Sequence, residues 1–343
     1  MSRPEFDLFG DDPDSRFAPR QLELFSTASA LRADVIEALA RVDGIRALAL
    51  VARAREAGPA DLDLDVWESA ARWLAGWFAD GGVRSGGSHA DRARPLDRDV
   101  RAAIAAAFLE LPRALRRGAI SRGAFDLVDE ALARIGLRSI SPAFPFVDDG
   151  ERVHVGALAL VRGQDRPAYD ELNASLRSGC ERRADLWASL GDARIRLRDE
   201  DGVGECFVRA LILDAGAIDW ARSAHEALAA LFERIACAYP EAVARERLLV
   251  EAWLEGVLDI PAANGWIDLA TLDDLRARST DAGGDAARMR RFALLFYLDR
   301  SRGEGVLADR EEMEALDREL LVRCVAAMER GVGSRREART SRR

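Results

Sequence analysis

The sequence predicts an all-α protein assembled from antiparallel helix pairs. Three observations carry that prediction. Ala, Leu and Arg dominate the composition, and all three are good helix formers. Apolar residues recur three and four positions apart through one segment after another, the spacing of a buried helix face. Gly and Pro fall between those segments, while stretches that read as strands are scarce.

In chain order, residues 1–28 read as a flexible tail, because Asp, Pro, Ser and Arg are frequent and no helical period holds. Ser29 is placed to cap a helix through Arg41, with Leu31, Val35, Ile36 and Leu39 on one side. Asp43-Gly44 breaks that helix, and a second follows from Ile45 to Ala57. A third covers Leu62 to Ala79 and carries Trp67, Trp73 and Trp77, read as wide side chains filling a helix–helix seam, with an aromatic cage as the alternative. Gly81 to Pro95 is a loop holding His89, a histidine with no metal or catalytic partner nearby in sequence. Helices from Asp97 to Leu111, stopped by Pro112, and from Ser121 to Ile135, stopped by Gly136, complete an N-terminal helical region over residues 29–136.

Residues 137–152 contain two Pro and form a connection. From 153 to 330 the pattern is one of helix pairs. The segments are Val153–Arg162, Pro167–Ser178, Trp220–Ala238, Glu241–Leu258, a short helix capped by Thr271, Ala286–Arg300 and Asp309–Arg330. In the middle lies Ala184–Ala217, the stretch with the most regular pattern. Trp187, Leu190, Gly191, Ala193 and Ile195 mark its first helix, Asp199–Gly202 the turn, and Phe207, Ala210, Leu211 and Leu213 its second helix.

That stretch resembles a tetratricopeptide repeat, a two-helix unit of a stacked solenoid. The family keeps a small residue where Gly191 stands, because the second helix crosses close by. The sequence departs from the family at Arg194, Val203 and Ala215, where an aromatic, Ala and Pro are usual. The resemblance implies a tetratricopeptide-like solenoid, with an irregular helical bundle as the alternative packing. It further implies that the first helix of the repeat lines a binding groove, which makes Asp185, Asp192 and Arg196 candidate groove residues. Solvated surface charges are the other reading of those three.

A second resemblance sits in the tail. Gln21, Leu22, Leu24 and Phe25 match the Gln-Leu-x-Leu-Phe pentapeptide by which bacterial replication and repair proteins bind the sliding clamp. The competing reading is that these apolar side chains dock the tail onto the helical body.

Charge and composition narrow the functions. All fifty basic residues are Arg and the net charge is −9, so catalytic or phosphate-loop Lys is excluded and general nucleic-acid binding is disfavoured. Only the tail over 331–343, with five Arg and one Glu, offers a weak contact of that kind. Cys180, Cys206, Cys237 and Cys324 show no paired spacing and read as reduced thiols. With no signal-peptide run and no membrane-length apolar stretch, the expectation is a bacterial cytoplasmic protein without membrane contact. His225-Glu226 lacks the second His of a zinc-protease helix, because Ala229 holds that place. No nucleophile, metal or cofactor constellation emerges. The expectation is therefore a non-enzymatic scaffold or adaptor that binds another protein or peptide, the alternatives being a clamp-tethered replication or repair factor and an enzyme with a carboxylate-only site.

Overall fold

The computed structural model describes residues 19–56, 64–78, 96–138, 145–261, 265–281, 283–302 and 307–330. His89 and the tail over 331–343 lie outside them. The described residues hold fourteen α-helices, one 3-10 turn and no strand. The protein is all-α, as the helical periodicity requires. None of its helices among the described residues is long and apolar enough to cross a membrane.

The chain divides into two compact units: Met1–Arg94 with Arg113–Ile135, and Pro95–Pro112 with Gly136–Arg343. In the first unit, α1 (Pro19–Ala40), α2 (Gly44–Glu56) and α3 (Leu64–Phe78) pack on one another. The start of α1 differs from expectation, since the sequence pattern puts residues 19–28 in the tail. Proline suits a first helical position, where its missing N–H is not needed, and Gln-Leu-Glu-Leu-Phe contains no β-branched residue to resist the helix. Ser29 therefore lies inside α1 rather than capping it. The break before α2 is as expected: Asp43 Oδ1 accepts from Arg46 N–H at 3.0 Å and caps α2. Gly44 is buried, and α3 passes directly over it. Trp67 is 5 % exposed and fills the seam. Trp73 and Trp77 lie with ring centroids 5.6 Å apart.

The second unit takes in α4 (Arg98–Arg116) as far as Pro112 and continues from the end of α5 (Arg122–Arg138). It takes in Pro95–Pro112, which the sequence pattern grouped with the N-terminal helices. Hydrogen bonds made by the 148–152 turn account for this: Arg152 Nη2 donates to Ala102 O at 3.1 Å, and Arg101 Nη2 donates to Asp149 at 3.1 Å. Next come α6 (Val155–Val161), α7 (Asp165–Arg177), α8 (Ala184–Arg196) and α9 (Val203–Asp214), with α7 packed on α6, α8 on α7 and α9 on α8. Leu160, Leu172, Leu176, Leu186 and Leu190 belong to one small core among them. A larger core, which includes Phe207, Phe232, Trp253, Phe292 and Phe296, joins α9 to α10 (Glu226–Ala236), α11 (Glu241–Leu254), α13 (Asp285–Arg302) and α14 (Leu307–Glu329). The short α12 (Leu269–Asp281) lies against α13.

Four local expectations change. Gly136 does not stop α5, which runs to Arg138; its missing side chain leaves room for Leu158, whose Cδ1 would lie 2.6 Å from an added Cβ. The stretch before Glu226 is a loop, not helix, and His225 caps α10 through Nδ1, which accepts from Leu228 N–H at 3.3 Å. Asp268, not Thr271, caps α12, accepting from the Thr271 N–H at 2.8 Å and hydroxyl at 2.7 Å. Within α14, Asp317 adopts non-helical φ −155° and ψ 90°, and its Oδ1 starts a new helical run by accepting from Leu320 N–H at 2.9 Å.

Pro112 does not stop α4 either; the helix runs on to Arg116. A proline inside a helix orphans the carbonyl four residues back, here that of Phe108. Arg222 supplies the missing donor: its Nη2 lies 2.9 Å from Phe108 O, and its guanidinium stacks 3.7 Å from the Phe108 ring centroid. This predicts an energetic coupling. Arg222→Ala should cost about 1–3 kcal/mol by orphaning a buried carbonyl. In a Pro112→Ala background the new N–H can serve Phe108 O, and the same substitution should cost about 1 kcal/mol less. Urea unfolding of the four proteins of the cycle measures that difference; additive effects would show that the two residues act independently.

Candidate functional site

The repeat-like hairpin builds the site. An added Cβ at Gly191 would lie 2.7 Å from Phe207 Cε2, so glycine is what lets α9 cross α8 this closely. The turn between them is closed by bonds to the end of α8, Asp199 N–H to Arg194 O at 2.9 Å and Arg198 N–H to Ile195 O at 3.0 Å. Arg194 Nη1 also donates to Asp199 at 2.7 Å.

Asp185, Asp192 and Arg196, spaced seven and four residues apart on α8, line one cleft of about 100 Å³. Arg152 and His154 border it before α6, Asp219 and Arg222 from the loop before α10, and Ser189 from α8. The three predicted residues are thus brought together, yet none is a freely solvated charge. Asp185 is gripped by Arg183 through two bonds of 2.8 and 2.6 Å. Arg196 Nη1 donates to Leu160 O at 2.5 Å and stands 3.7 Å from Asp165. Asp192 is 9 % exposed, and its Oδ1 accepts from Ser223 Oγ at 2.9 Å and Ala224 N–H at 2.7 Å. It therefore fastens α8 to the loop leading into the next helix pair. Burial pushes its carboxyl up to about 7, against the pull of the Ala224 and Ser223 hydrogen bonds and of Arg196; Asp219 adds to the rise.

His154 is 1 % exposed and caps α6, with Nδ1 accepting from Gly156 N–H at 2.9 Å and Nε2 at 2.8 Å from Ser175 Oγ. A ring nitrogen that accepts a backbone N–H carries no proton, so Nε2 carries it and donates to the serine. That is the reverse of the tautomer that activates a serine nucleophile. Burial holds this imidazole down to about 4, with a smaller opposing pull from Asp185 and a smaller push from Arg183. Among the cleft carboxylates Asp185 and Asp219 are each ion-paired to an arginine. No group of three or more His, Cys, Asp or Glu among the described residues is arranged to hold a metal ion.

Gln21, Leu22, Leu24 and Phe25 fall on the backbone of α1. The extended peptide that the clamp motif calls for would require these residues to leave the helix, and the side chains of residues 19–29 lie outside the described residues. Sequence reasoning missed Arg152, Ser189 and Arg222 as cleft residues, and reads His154 as a satisfied structural histidine, which its bonds to Gly156 and Ser175 make it. The one available signal was Pro112, an interior proline whose orphaned carbonyl needs a donor from elsewhere.

No known protein family matches the chain, and no curated protein or solved structure matches it.

Proposed function

We propose that this protein is a helical interaction module that holds a peptide segment of a partner protein in the cleft between α6 and α8. The carrying observation is the convergence of Asp185, Asp192 and Arg196 on that cleft, beside Arg222 and Ser189. The tetratricopeptide likeness of α8 and α9 favours the same reading, because in that family the first helix of a repeat faces the ligand. Size supports a peptide over a cofactor: about 100 Å³ suits one side chain or a chain end, whereas small-molecule sites occupy roughly 300–1,000 Å³.

The test is selection of peptides from a displayed library on the purified protein, repeated with Ser189→Trp, which fills the cleft from a half-buried position. Selected peptides should bind the native protein with a dissociation constant on the order of micromolar and lose at least about tenfold, or 1.4 kcal/mol, against the variant. Circular dichroism of the variant should match the native protein. Peptides that bind both proteins equally, or a library from which none is selected, would overturn the reading.

A further inference from the structure

The donors left over in the cleft point to the chemistry of its ligand, on the premise that the cleft binds peptides. Arg196 spends one nitrogen on Leu160 O, and its nearest carboxylate, Asp165, stands off at 3.7 Å. Its Nε and Nη2 have no partner among the described residues. Arg152 spends Nε on Asp148 at 2.6 Å and Nη2 on Ala102 O, leaving Nη1. Ser189 adds a hydroxyl to the same lining. The acceptors are more fully used. Both oxygens of Asp185 are held by Arg183, Asp219 pairs with Arg222, and Oδ1 of Asp192 takes two hydrogen bonds. A cationic ligand would meet three arginines and three carboxylates that already have partners. An anionic one would meet spare guanidinium donors, which suit a planar carboxylate.

We propose that the cleft recognises a carboxylate of the bound peptide, taken up by Arg196 with Arg152 and Ser189. The carboxylate comes from a chain terminus or from an Asp or Glu side chain. A neutral Asp192 can donate from Oδ2 to the incoming oxygen, whereas an ionised one would repel it.

The charged and titratable groups around Asp192 are Asp185 and Arg196 on α8, Arg152 and His154 before α6, and Asp219 and Arg222 in the loop before α10. His154, held near 4, stays neutral at and above pH 6, whereas Asp192, raised to about 7, changes charge in that range. Its raised value gives the sign: Asp192 is neutral below about pH 7 and ionised above it. If only the neutral form binds, affinity should fall about tenfold from pH 6 to pH 8, following the neutral fraction.

The experiment is a two-dimensional NMR titration of the full-length protein, following the Arg196 Nε–H and Ser189 amide signals. Four probes are compared: N-acetyl-alanine for a chain terminus, N-acetyl-glutamate α-amide for a side chain, N-acetyl-lysine methylamide for a cation, and N-acetyl-alanine methylamide as the neutral control. The expected result is saturable binding of at least one carboxylate probe, with the tighter of the two naming the source. That binding should weaken at least tenfold in Arg196→Gln and weaken also in Arg152→Gln, a more exposed position that keeps the test open if the first variant unfolds. Asp192→Asn should keep the bonds to Ser223 and Ala224, bind the carboxylate, and lose the pH dependence. Saturation by the cationic or neutral probe alone, by no probe, or with unchanged affinity in both arginine variants would overturn the assignment. Peptide selection that depends on the open cleft, with no carboxylate preference here, would sink this inference and leave the interaction module standing.

Discussion

Glu251→Ala should destabilise the second unit by about 3–5 kcal/mol, the range for removing one member of a buried ion pair. Glu251 on α11 is 7 % exposed and serves two arginines. Arg247, itself 7 % exposed, donates from Nε at 2.9 Å; Arg323 on α14 donates from Nη1 and Nη2 at 2.9 and 2.6 Å. Arg247 continues to Asp317 at 3.1 Å, the residue at the kink of α14. Without Glu251, Arg247 stays buried with only Asp317 opposite, and the second half of α14 loses its charged contact with α11. Burial pushes the Glu251 carboxyl up, but the hydrogen bonds from Arg323 and Arg247 outweigh it and hold the group below its ordinary value of 4.5. A lowered folded value stabilises above the ordinary value, and that stabilisation is lost as pH falls through the lower one. Urea unfolding at pH 7 reads the mutational effect. The double variant Arg247→Met, Glu251→Leu should recover most of the loss, because it removes the buried charge together with its partner. A single-variant loss under about 1 kcal/mol would mean that the pair behaves as a solvated one.

The same substitution at two glycines of the first unit should have opposite signs. Gly44→Ala places a Cβ 2.3 Å from Ala75 N and 2.6 Å from Ala71 O, both backbone atoms of α3. No rotamer change relieves a clash with backbone, so α2 must move away from α3. The expected loss is about 3 kcal/mol, the upper end of the usual overpacking range. Gly76→Ala, inside α3 with nothing within 4 Å of the added methyl, should instead stabilise by about 0.5–1 kcal/mol through helix propensity. Thermal and urea unfolding of the two variants against the native protein tests the pair, and a neutral Gly44→Ala would disprove the close crossing of α2 and α3.

Read from the sequence alone, the helical class, the succession of short helices and the limits of the α8–α9 hairpin were accessible. Each depends on residues within four positions of one another: apolar spacing, and the turn at Asp199–Gly202. The crossing at Gly191 was accessible for a related reason, since a glycine between large apolar residues on one helix marks where another helix comes near. The three candidate groove positions shared a helix and did meet at one cleft. Their state there was not legible. That Asp192 is buried and holds Ser223 and Ala224, that Arg196 reaches Leu160 O, and that Arg222 completes the hydrogen bonding of a helix interrupted by Pro112 are contacts across 31 to 114 residues of chain. Pro112 does not end α4 because a distant donor, Arg222, serves the carbonyl it orphans, whereas at Glu226 and within α14 a side-chain cap, His225 or Asp317, starts a helical run that apolar spacing alone does not mark. Propensity and periodicity act over one or two turns, so they set which segments become helices. Which charges are buried, which are paired and which donors remain for a ligand depends on what the folded chain brings alongside, because desolvation and pairing act between residues far apart in sequence.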